Sequence, residues 1–251
     1  MTPAQALAAV KARPWFYAFE LPDGTRTSCT LPPAVQPIHL TRRRVLREVL
    51  RRHMPDAAAL TALDLGCHQG YFSVELAQWF RSVLAMDLRM EHLQDTELIA
   101  QAYGLAHKVR TLSGDVQTAL PADALRADFV LCYGLLYHLE NPLRVLRWIA
   151  QICQRALLLE SQILPYELTG PIEDGQAHWA RPIQGLFALA GEDAACDTSG
   201  TSGLALVPSL QAVRTALQAV GFASVTMIPP DAGDYEQFAR GHRVLVYAEK
   251  G

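Results

Sequence analysis

The chain has 251 residues, half of them hydrophobic, which is enough for one doubly wound domain with additions. Its formal net charge of −3 and pI of about 6.2 do not favour a nucleic-acid partner. No stretch approaches the roughly 20 apolar residues of a membrane-spanning helix, and the first residues lack the pattern of a signal peptide. The five cysteines include no C-x-x-C pair, which suits a reducing compartment. We therefore expect a soluble, cytoplasmic protein without a membrane partner.

Residues 1–57 are expected to form an extension before the main domain. A helix is predicted over 1–12, and an aromatic run ending in a Pro-Asp-Gly turn predicts a hairpin over 15–30. A second helix is expected over 41–53, with Thr41 as its cap. Its arginines form either a solvated face or a phosphate-binding surface, and a solvated face is the commoner arrangement. These arginines are Arg42, Arg43, Arg44, Arg47, Arg51 and Arg52.

The main domain is expected over 58–251, where predicted strands alternate with helical segments. The first five strands are predicted at 62–65, 82–86, 109–112, 127–133 and 156–160. This alternation predicts an α/β fold with a doubly wound, mostly parallel, seven-stranded Rossmann-like sheet. The last two strands, at 222–228 and 242–249, are too close in sequence for a full crossover helix, so they should pair antiparallel.

Residues 161–207 interrupt this alternation after the fifth strand. Scattered Gly and Pro residues predict a partly irregular insertion there, with a helix at 181–190. Long loops in compact domains are usually functional. Because the insertion and the 15–30 hairpin can both reach the edge at which the fifth strand ends, we expect them to cover a binding site as a lid.

A glycine loop joins the first predicted strand to the helix that follows. Asp64, Gly66 and Gly70 give the pattern Asp-x-Gly-x-x-x-Gly, and amide groups at the start of a helix can bind a ligand. Asp87 closes the second strand, where its carboxylate can accept two ribose hydroxyls. Asp115 follows the third strand, where it can accept an adenine amino group. A cofactor containing adenosine is therefore expected at this edge of the sheet, and Asp87 alone would also fit NAD.

Four motifs in this order resemble those of class I S-adenosylmethionine (SAM) methyltransferases. They are the 64–70 loop, Asp87, Gly114-Asp115-Val116, and the Gly-Leu-Leu-Tyr-His-Leu run at 134–139. The resemblance implies a Rossmann-like fold, SAM as cofactor and methyl transfer as the activity. The cofactor-binding residues are then expected to be Asp64, Gly66, Cys67, His68, Gly70, Phe72, Asp87, Leu88, Asp115, Val116, Tyr133 and Gly134. For His68, a backbone contact is expected rather than imidazole chemistry.

Outer motifs extend the resemblance over most of the chain. Pro14-Trp15-Phe16-Tyr17, Leu21-Pro22-Asp23-Gly24 and Val207-Pro208-Ser209 are similar to the wobble-uridine (5-carboxymethoxyuridine) tRNA methyltransferase-like family. The tRNA-acting enzyme uses a carboxylated SAM, held partly by an arginine six residues before its Pro-Ser pair. That position is Ser202 here, so we expect ordinary SAM and O- or N-methylation of a small molecule. Modification of a tRNA wobble uridine is the alternative.

His138 and Tyr137 are the candidate catalytic residues, because they follow the fourth strand close to Gly134. His138 is either a general base or a group that orients a neighbour or contacts the cofactor. Tyr137 either hydrogen-bonds the substrate or packs in the core. Substrate contacts are expected from Trp15, Tyr17, Glu160, Trp179 and Tyr235. No metal is expected, since no His, Cys and acid set has metal-ligand spacing.

Overall fold

The structure is a computed structural model, and it describes residues 1–118, 125–173, 176, 180–193, 195–196, 199–200 and 202–251. Its helices are α1 (Pro3–Lys11), α2 (Pro37–His53), α3 (Tyr71–Ala77), α4 (Met90–Ala102), α5 (Pro142–Ile152), α6 (Leu210–Ala219) and α7 (Glu236–Ala239). The strands up to the insertion are β1 (Thr61–Leu65), β2 (Ser82–Asp87), β3 (Val109–Ser113), β4 (Ala127–Tyr133) and β5 (Cys153–Gln162). The remaining strands are β6 (Thr169–Glu173), β7 (Ala180–Gln184), β8 (Phe187–Gly191), β9 (Leu204–Pro208), β10 (Ser224–Ile228) and β11 (Arg243–Glu249).

Seven strands form the central sheet in the order β10-β11-β5-β4-β1-β2-β3. The pairs from β5 to β3 are parallel, whereas β11 runs antiparallel to both β5 and β10. The inner strands are buried on both faces, which is why they read as continuous apolar runs rather than alternating ones. The expected doubly wound, mostly parallel, seven-stranded sheet is confirmed.

The order of the strands reverses between β1 and β4. In open parallel sheets, a crevice forms at such a reversal beyond the carboxyl ends of the strands. The loops after β1, β2, β4 and β5 all emerge at this edge. Because β11 is antiparallel, its first residue, Arg243, pairs with Gln162 at the end of β5 and also lies at this edge.

The N-terminal region differs from the prediction in two places. Within 15–30, Trp15–Cys29 and Glu20–Arg26 form isolated bridges rather than a two-stranded hairpin, because the Thr27 hydroxyl accepts the Phe19 amide in place of a strand partner. Helix α2 begins at Pro37 rather than Thr41, since proline suits the first turn of a helix. The Thr41 hydroxyl instead accepts the Tyr235 amide at 2.9 Å.

The insertion contains strands where a helix was predicted. Strand β7 pairs with β6, and β8 pairs with β9, each as an antiparallel two-stranded sheet. The helix expected over 181–190 is therefore wrong. Pro182 and Gly185 interrupt that segment, and Gly185 has φ of +97°, which a helix does not allow. Among the described residues, no helix is long and apolar enough to cross a membrane.

Candidate active site

A cavity of about 430 Å³ opens at the crevice beyond β1, β2, β4 and β5. Its lining includes residues of the predicted cofactor loops: Gly66, His68, Asp87, Leu88, Asp115, Val116 and Gly134. It also includes Phe16, Tyr17, His39, Arg42, Tyr133, Tyr137, His138, Gly200 and Arg243, among others. We call the part of the cavity beside Asp87 and Asp115 the cofactor end, and the part beside His138 and Arg243 the acceptor end.

The glycine loop after β1 is shaped by its own hydrogen bonds. The amides of Gly66 and Cys67 both donate to the Met86 carbonyl, at 2.9 and 3.0 Å, and the Gly70 amide donates to the Cys67 carbonyl at 2.9 Å. These amides are therefore occupied rather than free for a ligand. Gly70 has φ of +78°, and a side chain there would meet Thr96, so this glycine closes the loop against α4.

Asp87 is the best-supported hydrogen-bond acceptor at the cofactor end. Its carboxylate accepts the amides of His68 and Arg89, at 2.8 and 2.9 Å, and lies 3.1 Å from Nδ1 of His92. Burial alone would raise the pKa of Asp87, but the hydrogen bonds from His92 and the two amides outweigh it and hold the pKa below its usual value. Asp87 is thus ionised at neutral pH and oriented at the cavity wall.

Asp64 lies beneath the loop rather than in the cavity wall. It is 2% exposed, and the Ser73 hydroxyl donates to its carboxylate at 2.6 Å. Burial raises the pKa of Asp64 to about 7, although the bond from Ser73 opposes this rise. The direct cofactor contact expected for Asp64 therefore becomes an indirect role through the loop.

The His68 side chain stands at the loop position usually occupied by glycine. It adopts φ of +49°, and its ring lies 3.9 Å from that of His92 and 4.8 Å from that of Phe16. Neither ring nitrogen has a hydrogen-bond partner within the part of the chain that the structure describes. Burial lowers the pKa of His68 to about 3, so the ring is neutral. Both the backbone and the imidazole of His68 are thus placed at the cavity, whereas only the backbone was expected to act.

The other predicted cofactor residues divide into two groups. Leu88, Asp115, Val116, Tyr133 and Gly134 lie in the cavity wall. Cys67, Gly70 and Phe72 instead support the wall from behind: Cys67 and Phe72 are buried in the core, and the Phe72 ring packs edge-on against Tyr133 at 5.1 Å. These three residues shape the site without facing it.

His138 is held by a residue of the insertion. Its Nδ1 lies 2.5 Å from a carboxylate oxygen of Glu192, whose other oxygen accepts the Gly200 amide at 2.5 Å. Burial lowers the pKa of His138, and the hydrogen bond to Glu192 opposes part of this shift. The imidazole is therefore neutral at neutral pH, and Nδ1–H donates to the carboxylate. The other ring nitrogen, Nε2, is then left as an acceptor.

Glu160 does not face the acceptor end directly. It is fully buried at the end of β5, where the guanidinium groups of Arg42 and Arg243 both donate to it, the latter at 2.8 Å. The Tyr137 hydroxyl lies 3.4 Å from Arg243, whose guanidinium stacks 5.2 Å above the Tyr137 ring. Arg42 and Arg243, rather than Glu160, form the cavity wall here.

Of the aromatic residues expected to contact substrate, only one is placed in the cavity wall among those described. Tyr17 lies in the wall, stacked on Tyr71 at 4.9 Å. Trp15 is fully buried and donates its indole N–H to the Val10 carbonyl, so it belongs to the core. Tyr235 is also buried, packed beside α2. Trp179 lies outside the described residues.

Sequence reasoning missed three side chains near the acceptor end: His39, Glu192 and Arg243. Arg42 was considered only as one of the α2 arginines that form either a solvated face or a phosphate-binding surface. A signal existed for Arg42, because it stands on the same helical stripe as the buried Ile38, Val45 and Val49. A signal also existed for Arg243, since it opens the strand predicted to run antiparallel. Nothing local in the sequence marks Glu192, which reaches His138 only through the fold of the insertion.

A model of the methyltransferase domain matches residues 38–226, about three quarters of the chain. The chain belongs to the methyltransferase domain family. As a member, it is an S-adenosylmethionine-dependent methyltransferase, which confirms the activity and cofactor expected from the motifs.

Solved structures similar to this methyltransferase share its fold. The N-terminal domain of EvdMO1, solved in the presence of S-adenosylhomocysteine (SAH) and D-fucose, aligns with a TM-score of 0.71 at 22% identity and covers 100% of this chain and 98% of that one. Magnesium protoporphyrin IX methyltransferase from Synechocystis PCC 6803 aligns with a TM-score of 0.57 at 14% identity, covering 88% and 89%. At these identities the likeness establishes the fold alone.

A curated relative in sequence is the tRNA U34 carboxymethyltransferase of Desulfotalea psychrophila. It is 27% identical over 121 residues, which are 47% of this methyltransferase and 37% of the relative. The chain thus matches little more than a third of that relative's length. The resemblance to the tRNA-modifying family is confirmed as a distant one.

The cavity of this methyltransferase fits SAM on its own observations. Asp87 presents a preoriented carboxylate to ribose hydroxyls, and Gly66 and Gly134, both at positive φ, keep the wall free of side chains. A Cβ at Gly66 would lie 3.3 Å from the Leu135 side chain, so a larger residue at this position would press against Leu135. The unpartnered ring of His68 adds a polar group that a bound cofactor can satisfy.

Proposed function

We propose that this methyltransferase methylates a hydroxyl group of a small-molecule acceptor, with His138 as the general base. The observation that carries the proposal is the contact of Glu192 with His138, whose side chain lines the cavity. When bound, SAM supplies an electrophilic methyl group on a sulfonium. An alcohol acceptor must lose a proton as its oxygen takes that methyl group, and a neutral base at the acceptor end can accept this proton.

Glu192 prepares His138 for this task. By accepting Nδ1–H, the carboxylate fixes the tautomer in which Nε2 is free to take the proton of the acceptor. It also stabilises the imidazolium that forms, because the charges lie within hydrogen-bond distance in a mostly buried setting. This arrangement matches the use of histidine in hydroxyl activation, where a second group orients the base.

The cofactor end is proposed to hold SAM through Asp87, His68 and the wall formed by Leu88, Asp115 and Val116. Asp87 accepts the ribose hydroxyls, and the glycine loop sets the shape of the floor. Gly134 and the following 3-10 turn, which carries Tyr137 and His138, line the same cavity as Asp87, so they would position the acceptor beside a bound cofactor.

The insertion is proposed to cover the acceptor. The Arg89 guanidinium donates to the carbonyls of Cys196 and Ser199, at 3.1 and 3.0 Å, and Ser199 and Gly200 line the cavity. Arg89 is the residue immediately before α4, the helix that follows β2, so these contacts connect the insertion to the cofactor end of the cavity. A cover excludes water that would compete for the hydrogen bonds aligning the acceptor.

A small hydroxylated acceptor is compatible with this fold, because the EvdMO1 domain, which aligns over this whole chain, was solved in the presence of D-fucose. The alternative of tRNA modification rests on the distant carboxymethyltransferase relatives. The structure weakens it, since Arg42, Arg44 and Arg47 on α2 are engaged in ion pairs rather than forming a free basic face.

The experiment that tests the proposal is a turnover assay with SAM labelled in its methyl group, offered to fractions of a small-molecule extract. We expect label in a compound of low mass, and NMR of the product should show a new methoxy carbon. A labelled N-methyl or S-methyl product would contradict hydroxyl methylation, and label found only in RNA would contradict a small-molecule acceptor.

A further inference from the structure

Two guanidinium groups share one buried carboxylate at the acceptor end. Arg42 comes from α2, Arg243 from β11, and Glu160 lies between them at the end of β5. Both arginines line the cavity and have side chains less than a tenth exposed. One negative charge faces two positive charges, so this part of the wall carries an excess positive charge in a poorly solvated place.

Polar atoms at the same place lack hydrogen-bond partners. Nε of Arg42 and both ring nitrogens of His39 are buried without a partner anywhere in the described ranges, and burial lowers the pKa of His39, so its neutral ring offers one N–H donor beside that of Arg42. His39 and Arg42 are three positions apart on α2, which puts them on one face of the helix, and each is 6% exposed. A buried donor left unpaired costs about 1–3 kcal/mol, and more when it is charged. A bound acceptor of hydrogen bonds would remove this cost.

The surroundings favour an anion over a neutral acceptor of hydrogen bonds. Leu31, Val35 and Ile38 add apolar wall beside His39 and Arg42, so little water screens the charge. A neutral group could satisfy the free donors, but it would leave the excess positive charge unbalanced. The planar guanidinium edge matches the two oxygens of a carboxylate or phosphate.

The position of this cluster places it within reach of the reaction centre. A Cβ built on Gly134 would lie 3.0 Å from Nη2 of Arg42, so the guanidinium packs directly against the loop after β4. Gly134 and Tyr133 line the same cavity as Arg42 and His138. A group bound to Arg42 therefore lies beside the acceptor rather than in a remote pocket.

We propose that the acceptor carries an anionic group, a carboxylate or a phosphate ester, which binds Arg42 and His39 while its hydroxyl faces His138. This inference rests on the proposed function and narrows its substrate class. Arg243 holds Glu160 and thereby keeps the Arg42 side chain in place, so it is a positioning residue. The anion fixes the orientation of the acceptor as bidentate arginine contacts do in other enzymes.

The test uses three probes that share one ring: benzoate, phenyl phosphate and the neutral benzamide. Calorimetry is carried out on the full chain saturated with SAH. We expect at least one anion to bind about tenfold tighter than benzamide, as a charge-assisted hydrogen bond allows. The anion that binds more tightly indicates whether the acceptor carries a carboxylate or a phosphate ester. Equal affinities, or no binding of either anion, would overturn the proposal.

Variants on α2 connect this binding to the cluster. His39→Phe keeps an aromatic ring and removes a buried donor that has no partner among the described residues, so we expect a melting temperature that does not fall and several-fold weaker binding of the preferred anion. Arg42→Gln should abolish the preference for the anion, with circular dichroism confirming the fold. Arg52→Gln, exposed on the same helix, is the matched control and should change neither property. Unchanged anion affinity in folded His39→Phe and Arg42→Gln proteins would overturn the proposal.

A turnover arm separates this inference from the proposed function. A small-molecule extract is divided on an anion exchanger, and each fraction is offered with methyl-labelled SAM. Label in retained compounds supports an anionic acceptor. Label only in unretained, neutral compounds keeps hydroxyl methylation but overturns the anionic acceptor. Absence of label from both fractions counts against the proposed function, while the calorimetry decides the anion site by itself.

Discussion

The imidazole of His138 and the carboxylate of Glu192 meet at 2.5 Å although the two residues are 54 positions apart in the chain. His138 stands on the turn after β4, within the Rossmann-like core. Glu192 follows β8 in the insertion. The general base proposed for this enzyme is therefore assembled only when the insertion has folded over the cavity.

Replacement of the base should separate catalysis from cofactor binding. We expect His138→Gln to lower kcat by about 10²-fold or more, the usual contribution of a positioned base, with unchanged affinity for SAH. Kinetics with the identified acceptor and calorimetry with SAH measure the two effects. His107→Gln, at an exposed position, is the control. Full activity of His138→Gln would show that the acceptor loses its proton without this base.

The pH dependence of kcat/KM should reflect the hydrogen-bonded pair of His138 and Glu192 rather than an isolated histidine. Burial lowers the pKa of His138, so the acid limb of kcat/KM should have its midpoint below the usual imidazole value of about 6.5. In Glu192→Gln the hydrogen-bonded charge that raises this pKa is lost. The midpoint should then move to lower pH while the plateau falls. A midpoint that moves upward, or stays in place with an unchanged plateau, contradicts the pairing.

Cofactor affinity should depend on Asp87. In Asp87→Asn the side chain keeps its shape but loses its charge, and hydrogen bonds to charged groups contribute about 1.5–3 kcal/mol, so SAH should bind at least about tenfold more weakly. Calorimetry measures this change. Asp56→Asn removes an exposed carboxylate far from the crevice and should leave the affinity unaltered. Equal affinities of the two variants would exclude a ribose contact.

Asp64 should make folding stability depend on pH. Its pKa is raised to about 7 by burial, so the stability it contributes in the protonated form is lost as pH rises from about 4 to about 7. The melting temperature of Asp64→Asn relative to the wild type should therefore increase over this window and level off above it. Thermal scans of both proteins without ligand measure the difference. A constant difference between pH 4 and pH 8 would show that Asp64 titrates normally.

The cover over the acceptor should tolerate no side chain at Gly200. A Cβ there would overlap the His138 carbonyl oxygen, so Gly200→Ala must displace the segment whose amide binds Glu192. We expect turnover to fall while SAH affinity changes little. Gly191→Ala, where a Cβ meets open space, is the matched control. Equal turnover of both variants would mean that the cover does not position Glu192.

Binding to tRNA should be weak. Gel-shift assays with bulk tRNA across a salt series should show low affinity and a shallow dependence on salt, because most of the α2 arginines near the cavity are already paired with carboxylates. Tight binding with a steep salt dependence would instead favour the tRNA alternative.

Local signals in the sequence indicated most of the predicted cofactor residues that the structure places in the cavity wall. The strand-end acids and glycines are short-range signals, and the parallel order of the strands brings them to one edge. Continuous apolar runs separated by helical segments likewise predicted the central sheet, including the antiparallel pairing of β10 with β11. The sequence pattern did not indicate that the amides of Gly66 and Cys67 donate to the Met86 carbonyl and so are not free for a ligand.

The acceptor end was harder to predict because its contacts cross long distances in the chain. The arginines of α2 resemble a solvated face in sequence. Arg42 is nevertheless buried, and it forms an ion pair with Glu160, which lies 118 positions away in the chain. The insertion carries no strong periodicity, so Pro182 within β7 and Gly185 between β7 and β8 were not recognised as signs against a helix. Trp15 looked like a pocket wall because aromatic character alone does not distinguish a wall from the core.

Arg42, Glu160 and Arg243 come from three distant parts of the chain and form ion pairs at the acceptor end of the cavity. The proposed choice of acceptor therefore depends on all three residues. Loss of either arginine alone leaves a buried carboxylate underpaired, and breaking such a pair typically costs about 3–5 kcal/mol. Single substitutions during evolution would therefore be penalised before they could change acceptor preference. The residues proposed to bind the methyl donor, such as Asp87 and Asp115, are not part of this ion-paired group. Divergence toward new acceptors in this lineage should have required concerted replacement of all three residues.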